Sequence, residues 1–174
     1  LELIKSGDSG RAVELPGGYM ARYEYGKILF SNRNTQAKTK ENSEVYVEVP
    51  GITKFADYLI EAEVFETGQK DFEQFRQKKD AFVEWFDLEK IIGPLVVRTR
   101  RAGDRFWPLG HEAEKKIGKF LTAAKVRSQI RKKSLVVADT EKIIWVWPVR
   151  ISAQAKVTTQ SKKILQLQIK SSET

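Results

Sequence analysis

The chain has 174 residues, 41% hydrophobic and 31% charged, with a formal net charge of +8 and no cysteine. That length supports one domain, or two small ones sharing a core, and buries roughly 70% of the surface an unfolded chain exposes. The absence of cysteine excludes a disulfide framework, a thiolate metal site and a cysteine nucleophile, and no apolar run approaches the ~18 residues of a membrane span.

LELIKSGDSG lacks the charged-then-apolar layout of a secretory signal. With Leu1 first and Met20 the only methionine, the chain reads as a piece of a longer cytoplasmic protein, residues 1–10 being a connector from an upstream domain. Residues 11–174 read as one domain. In it, RAVELPGGYMARYEYGKILFSN predicts strand, turn, strand, broken at Pro16-Gly17-Gly18. RNTQAKTKENSE is polar and aperiodic and predicts an exposed loop.

EVYVEVPG sets Val45, Val47 and Val49 on one side, the two-residue alternation of a half-buried strand. DYLIEAEVFE repeats it, with Ile60, Ala62 and Val64 inward and Glu61 and Glu63 outward. QKDFEQFRQKKD predicts a turn of helix or a loop, and AFVEWFDLEKIIGPLVVRTRR two strands joined through Gly93-Pro94. EKKIGKFLTAAKV is the clearest helix: Ile117, Phe120, Leu121 and Ala124 share one face, and Lys115, Lys116, Lys119 and Thr122 the other. Gly118 weakens that helix by about 1 kcal/mol relative to alanine, which predicts a close backbone approach. RSQIRKK predicts a second short helix. SLVVAD and KIIWVWP predict strands buried on both faces, with Ile144 and Val146 opposite Trp145 and Trp147. KILQLQIK alternates Leu165, Leu167 and Ile169 with Gln166, Gln168 and Lys170. About nine strands, one or two short helices and no βαβ alternation give an α+β fold with a largely antiparallel, layered sheet.

Most catalytic signatures are missing. His111 is the only histidine and reads as a surface residue in a turn. No phosphate-binding Gly-x-x-x-x-Gly-Lys-Ser/Thr loop occurs, and SGDSG at Ser6–Gly10 has neither the preceding strand nor the following helix such a loop needs. No metal site and no complete active site is found.

The positive charge is local. Between Arg98 and Lys133 stand 12 Lys/Arg against Asp104, Glu112 and Glu114; the rest of the chain nets −1. Arg98 and Arg100 lie two apart on a strand and share a face, Arg101 and Arg105 flank the Gly103-Asp104 turn, and Lys115, Lys116, Lys119, Lys125 and Arg127 follow. A strand edge, a turn and a helix face could form one surface suited to a phosphate backbone. The bland alternative is a set of separate solvated charges. Phe106 and Trp107 have two readings, base stacking or a core anchor, and the anchor is favoured. Asp104 either caps the turn through a backbone hydrogen bond or orients Arg105 as an ion-pair partner.

VRTRRAGDRFWPLG, then KKIGKFLTAAKV, then IIWVWPVRIS and QAKVT, resembles the C-terminal domain of bacterial tRNA(Ile)-lysidine synthase, in order from Leu95 to Leu167. VELPGGYMARYEYGKILF and WFDLEKIIGPLVVR are similar to the segments before that domain. Arg98, Arg101, Gly103, Asp104, Arg105, Phe106, Pro108, Leu109 and Gly110 match the turn motif. Lys115, Lys116, Lys119, Phe120 and Lys125 match the helix, and Arg150, Ile151 and Lys156 the later strand. The chain departs from the family pattern at Trp147-Pro148-Val149-Arg150, at Ala153-Gln154 and at Arg127.

The resemblance implies a ligase that uses ATP to adenylate the wobble cytidine of an isoleucine tRNA and then attaches lysine, forming lysidine. Catalysis, with ATP and Mg²⁺, belongs to an N-terminal ATP-pyrophosphatase domain with a Ser-Gly-Gly-x-Asp-Ser loop, which this chain lacks. The chain alone is thus expected to be inactive and to carry no cofactor. It further implies a fold similar to a module of the phenylalanyl-tRNA synthetase β-chain, with residues 95–170 as the tRNA-binding module. That module would contact the tRNA near its acceptor stem, alongside the upstream catalytic domain. The expected phosphate contacts are Arg98, Arg100, Arg101, Arg105, Lys115, Lys116 and Lys119, with Lys125 and Arg127 beyond them. Gly103, Asp104, Phe106, Pro108, Leu109 and Gly110 are expected to hold the turn. The alternative is a non-catalytic module that meets another protein domain, or a second copy of the chain, with no direct RNA contact.

Overall fold

The computed structural model describes residues 12–16, 19–24, 27–32, 43–66 and 69–172. The expected connector at 1–10, Gly17-Gly18 of the first turn and the polar stretch 33–42 lie outside the described residues. A three-stranded antiparallel meander comes first, formed by β1 (Ala12–Leu15), β2 (Tyr19–Glu24) and β3 (Lys27–Asn32).

Two larger sheets follow. The first contains β4 (Glu44–Tyr46), β8 (Val96–Thr99), β11 (Leu135–Ala138), β12 (Ile143–Trp147) and β13 (Arg150–Ile151), in the order β13-β12-β11-β8-β4. The second contains β5 (Gly51–Phe55), β6 (Tyr58–Glu66), β7 (Val83–Asp87) and β14 (Lys163–Ser171), in the order β5-β6-β14-β7. Every pairing in both is antiparallel. They pack face to face: Phe86, Leu165, Leu167 and Ile169 of one share a core cluster with Val97, Leu135, Val137 and Trp145 of the other.

A helix packs on part of each outer face. The ten-residue helix α1 (Gln69–Lys78) forms where the sequence predicted only a turn of helix or a loop. Phe72 and Phe75, three apart, fall on its inward face, and Phe75 stacks on Trp85 at 4.2 Å between ring centroids. On the opposite side, α2 (Ile117–Ala123) lays Ile117, Phe120 and Leu121 against Val136, Ala138, Ile143 and Val146 of the five-stranded sheet. A short helix α3 (Ser128–Lys133) follows, as expected. Central strands β11 and β12 are therefore buried on both faces, which explains their unbroken apolar runs.

Several local expectations need correction. Val49 is exposed and lies beyond β4, so it does not join Val45 and Val47 on a buried side, and Ala124 is exposed as the C-cap of α2 rather than part of its inward face. Ile144 and Val146 do not share a face: Val137 pairs with Trp145 and Ala138 with Ile143, so Ile144 is the extra residue of a bulge and turns to the inter-sheet core with Trp145. Val64 is exposed rather than inward, because β5 pairs with β6 only as far as Ala62 and leaves the far end uncovered. Gly118 meets no close neighbour, since a Cβ built there would touch nothing within 4 Å.

Candidate nucleic-acid interface

The Arg98–Lys133 window folds around one carboxylate. Asp104 accepts both Nη groups of Arg98, at 2.8 and 2.9 Å, and the Arg101 backbone N–H at 2.8 Å. Its own carbonyl accepts the Ile117 N–H at 2.9 Å, which ties the turn to the first residue of α2. Gly103 makes this possible: its φ of +89° lies in the left-handed region that side chains disfavour, although nothing crowds it. Burial on its own would raise the Asp104 carboxyl, but the hydrogen bonds from Arg98 and Arg101 and their two charges outweigh it and hold it below the usual carboxylate range.

Arg98, expected as a phosphate contact, is turned inward by this pairing. It is 8% exposed, and its guanidinium is spent on Asp104 and on the Thr99 carbonyl at 3.1 Å. Asp104 caps the turn, as one sequence reading held, but its ion-pair partner is Arg98 and not Arg105. Arg105 pairs instead with Glu114 at 2.6 Å. Nor does Arg100 share a strand face with Arg98, because β8 ends at Thr99. Arg100 is half-buried; burial first, and then the charge of Arg131, push its guanidinium below its ordinary value, against a smaller opposing pull from Asp104.

Lys115 and Lys116 also depart from the expected helix. They form β10 (Lys115–Lys116), paired with β9 (Arg105–Phe106), with Lys116 opposite Arg105 and Lys115 opposite Phe106. The helical period starts only at Ile117, whose N–H is drawn to Asp104, so the two preceding residues stay extended. Of the lysines expected on the helix face, only Lys119 is helical.

This ribbon and α2, from Lys119 to its C-cap Ala124, border a groove of about 560 Å³. Among the described residues, Arg105, Lys115, Lys116, Lys119 and Arg150 line it, with Glu114 as the one carboxylate and Phe120 and His111 among the rest of its wall. The His111 ring stands edge-on to Phe120 at 5.6 Å. Arg150 enters from β13, the sheet edge; the sequence offered it only as a motif match, and no local pattern marks it as part of this surface. The groove does not include Arg100, Arg101, Lys125 or Arg127. Arg101 pairs with Glu44 of β4 at 2.6 Å. Lys125 terminates α2 with φ +52°: its N–H donates to the Thr122 carbonyl and that of Val126 to the Leu121 carbonyl, the paired bonds of a Schellman cap.

The turn residues divide. Phe106 is 2% exposed and packs edge-on against Phe120 at 5.2 Å. Pro108 is buried and bridged to Ser152, and Leu109 packs against the inter-sheet core and donates its N–H to the Ile151 carbonyl. Gly110 (φ +87°) turns the chain back toward His111. Trp107 is exposed. On the other side of the Leu109–Ile151 contact lies a second depression of about 480 Å³, walled by Phe72, Phe75, Trp85 and Val157.

Among the described residues no three His, Asp or Glu side chains come together to hold a metal ion, and no helix is long and apolar enough to cross a membrane. The class is a layered α+β domain with a cationic groove on one outer face and no assembled catalytic constellation among its described residues.

Comparison with known proteins narrows this. Residues 95–169 match the model of the TilS substrate C-terminal domain. The chain is 30% identical over 159 residues to the tRNA(Ile)-lysidine synthase of Caldanaerobacter subterraneus subsp. tengcongensis, covering 88% of this chain and 32% of that protein. It is 29% identical over 171 residues to that of Clostridium tetani, covering 95% and 35%. A crystal structure of the TILS C-terminal domain superposes with a TM-score of 0.59 at 25% identity, over 76% of this chain and all of that one. Over most of its own length the chain is thus similar to tRNA(Ile)-lysidine synthases, and it spans about a third of the length of these curated relatives.

Proposed function

We propose that this chain grips tRNA on behalf of a tRNA(Ile)-lysidine synthase. The groove lined by Arg105, Lys115, Lys116, Lys119 and Arg150 holds the phosphate backbone of an isoleucine tRNA near its acceptor stem, in the cytoplasm. ATP- and Mg²⁺-dependent attachment of lysine to the wobble cytidine belongs to sequence outside this chain. The residues described here do not fit Mg²⁺, because no carboxylate cluster forms among them, and no step of that chemistry is derived from them.

One observation carries this reading: five cations converge on one groove with a single competing carboxylate. Clustered cations repel one another in the free protein and are relieved by a polyanion that releases its condensed counterions on binding.

The test is the double substitution Lys115→Glu and Lys119→Glu, measured as tRNA affinity and thermal midpoint. Both side chains are exposed, so the midpoint should barely move while binding is abolished. Five phosphate contacts also predict a loss of roughly a few hundredfold in affinity between 50 and 200 mM salt. Unchanged binding by the double variant, or a flat salt response, overturns the reading in favour of a protein-docking surface.

A further inference from the structure

Phe106 and Trp107 are adjacent in the chain and opposite in fate. Phe106 fills the core, whereas Trp107 is 37% exposed and joins none of the three apolar clusters. The other tryptophans, Trp85, Trp145 and Trp147, are all buried. Burying an indole is strongly favourable, so core packing does not account for this one.

Trp107 is nevertheless fixed. Its Nε1–H donates to the His111 carbonyl at 2.7 Å, and its own carbonyl accepts the Ala153 N–H at 2.8 Å. The next residue, Pro108, is bridged to Ser152. The ring is thus an exposed aromatic surface in a held frame, with little rotamer freedom left to lose on binding. His111, which anchors it, lines the cationic groove, and so do Arg105 and Lys115 from the ribbon that leads into Trp107.

We propose that Trp107 is a stacking platform for an unpaired nucleobase of the RNA whose phosphates occupy that groove. The proposal rests on the RNA-binding reading above and deepens it: the ligand is a paired stem next to at least one unstacked base. A base inside a regular duplex has both faces covered and offers nothing to an external ring. An unpaired base presents a free π-face whatever its identity, so the platform contributes affinity without reading sequence. The neighbouring cations neutralise the phosphates on either side of that base. A free base of this kind comes either from a single-stranded tail at the end of a stem or from a bulge within it.

The experiment uses the 174-residue chain and three RNAs sharing one stem: a blunt duplex, the same duplex with a four-nucleotide 3′ tail, and the same duplex with a single-base bulge. The unsubstituted protein should bind the tailed or the bulged RNA at least about fivefold more tightly than the blunt one, the lower end of what one stacked base contributes; whichever is preferred identifies the source. Trp107→Ala should remove the preference and leave the salt dependence on blunt RNA intact. Trp107→Phe keeps a ring but loses the indole N–H, and should retain most of the preference. Equal binding to all three RNAs overturns the platform, as does a preference that survives Trp107→Ala. If Trp107→Phe behaves like Trp107→Ala, the indole is only a clamp on the His111 carbonyl and the proposal falls. Absence of salt-sensitive binding to every RNA overturns the parent reading, and the platform with it.

Discussion

Arg98 and Asp104 form a two-pronged ion pair, at 2.8 and 2.9 Å, with each side chain about nine-tenths buried. The first arginine of the basic window is therefore a strut. Removing one partner of a buried pair leaves the other charge without compensation, at about 3–5 kcal/mol. Arg98→Ala should lower the thermal midpoint by on the order of 10 °C for a chain of this size. Below that midpoint the salt slope of RNA binding should stay unchanged, because a buried guanidinium releases no counterions. A slope shallower by about one unit would instead return Arg98 to the interface.

Acid should unfold this domain through specific carboxylates. Asp87, Asp104 and Asp139 are all held below their ordinary value of 3.8. Burial alone would raise them, but hydrogen bonds, first from Ser161, Arg98 and Lys142 respectively, outweigh it together with backbone N–H groups and, at Asp87 and Asp104, neighbouring charges. A carboxyl depressed in the folded state stabilises above its unfolded value, and that stability is lost as pH falls through the folded value. Urea unfolding should show near-constant stability from pH 7 to 5 and a steep fall below about pH 4. Asp104→Asn should be less stable at pH 7 and less sensitive to acid; equal acid sensitivity in both proteins would contradict this.

Glu114 occupies the groove as a competitor. Its carboxylate holds Arg105 Nε at 2.6 Å, but both side chains are about half exposed, so the pair adds little to stability. An arriving phosphate has to displace it and then meets its repulsion. Glu114→Gln should raise tRNA affinity several-fold at low salt and steepen the salt slope by up to about one unit, with no appreciable change in thermal midpoint. Weaker binding would mean that Glu114 positions Arg105 rather than masks it.

Arg150 and Arg101 give a paired comparison. Arg150 lines the groove, whereas Arg101 lies outside it, engaged with Glu44 on the far edge of the five-stranded sheet. Arg150→Ala should weaken tRNA binding across all sequences and reduce the salt slope by about one. Arg101→Ala should change binding much less. Equal losses would show that the interface extends past the groove to β4.

Lys125 holds a left-handed conformation at the end of α2, where glycine is the usual residue. A side chain there costs about 1 kcal/mol or more. Lys125→Gly should therefore raise the thermal midpoint by a few degrees, and as a residue outside the groove it should leave tRNA affinity nearly unchanged. A tenfold loss in affinity would make Lys125 a phosphate contact after all.

Local patterns in the sequence determined much of this protein. Alternation in KILQLQIK and the doubly apolar runs of SLVVAD and KIIWVWP identified β14, β11 and β12, because side-chain period and two-sided burial are written along each strand. Ile117, Phe120 and Leu121 marked the inward face of α2, and charge counting alone located the positive window. What local pattern could not carry was the direction in which each charge faces. Arg98 and Arg105 belong to the same run of basic residues, yet one is buried on Asp104 and the other opens into the groove. Lys115 and Lys116 look helical until Ile117 N–H is seen to bond Asp104, which leaves them extended. Phe106 and Trp107 look like one aromatic unit and part to opposite sides. Arg150 reaches the groove because β13 lies at the sheet edge, 45 residues beyond Arg105 in sequence. Sequence fixes a charge's place on its own strand or turn. Strand order, and competition among carboxylates for the same arginines, decides whether that charge meets a partner or the solvent, and only the folded chain settles both.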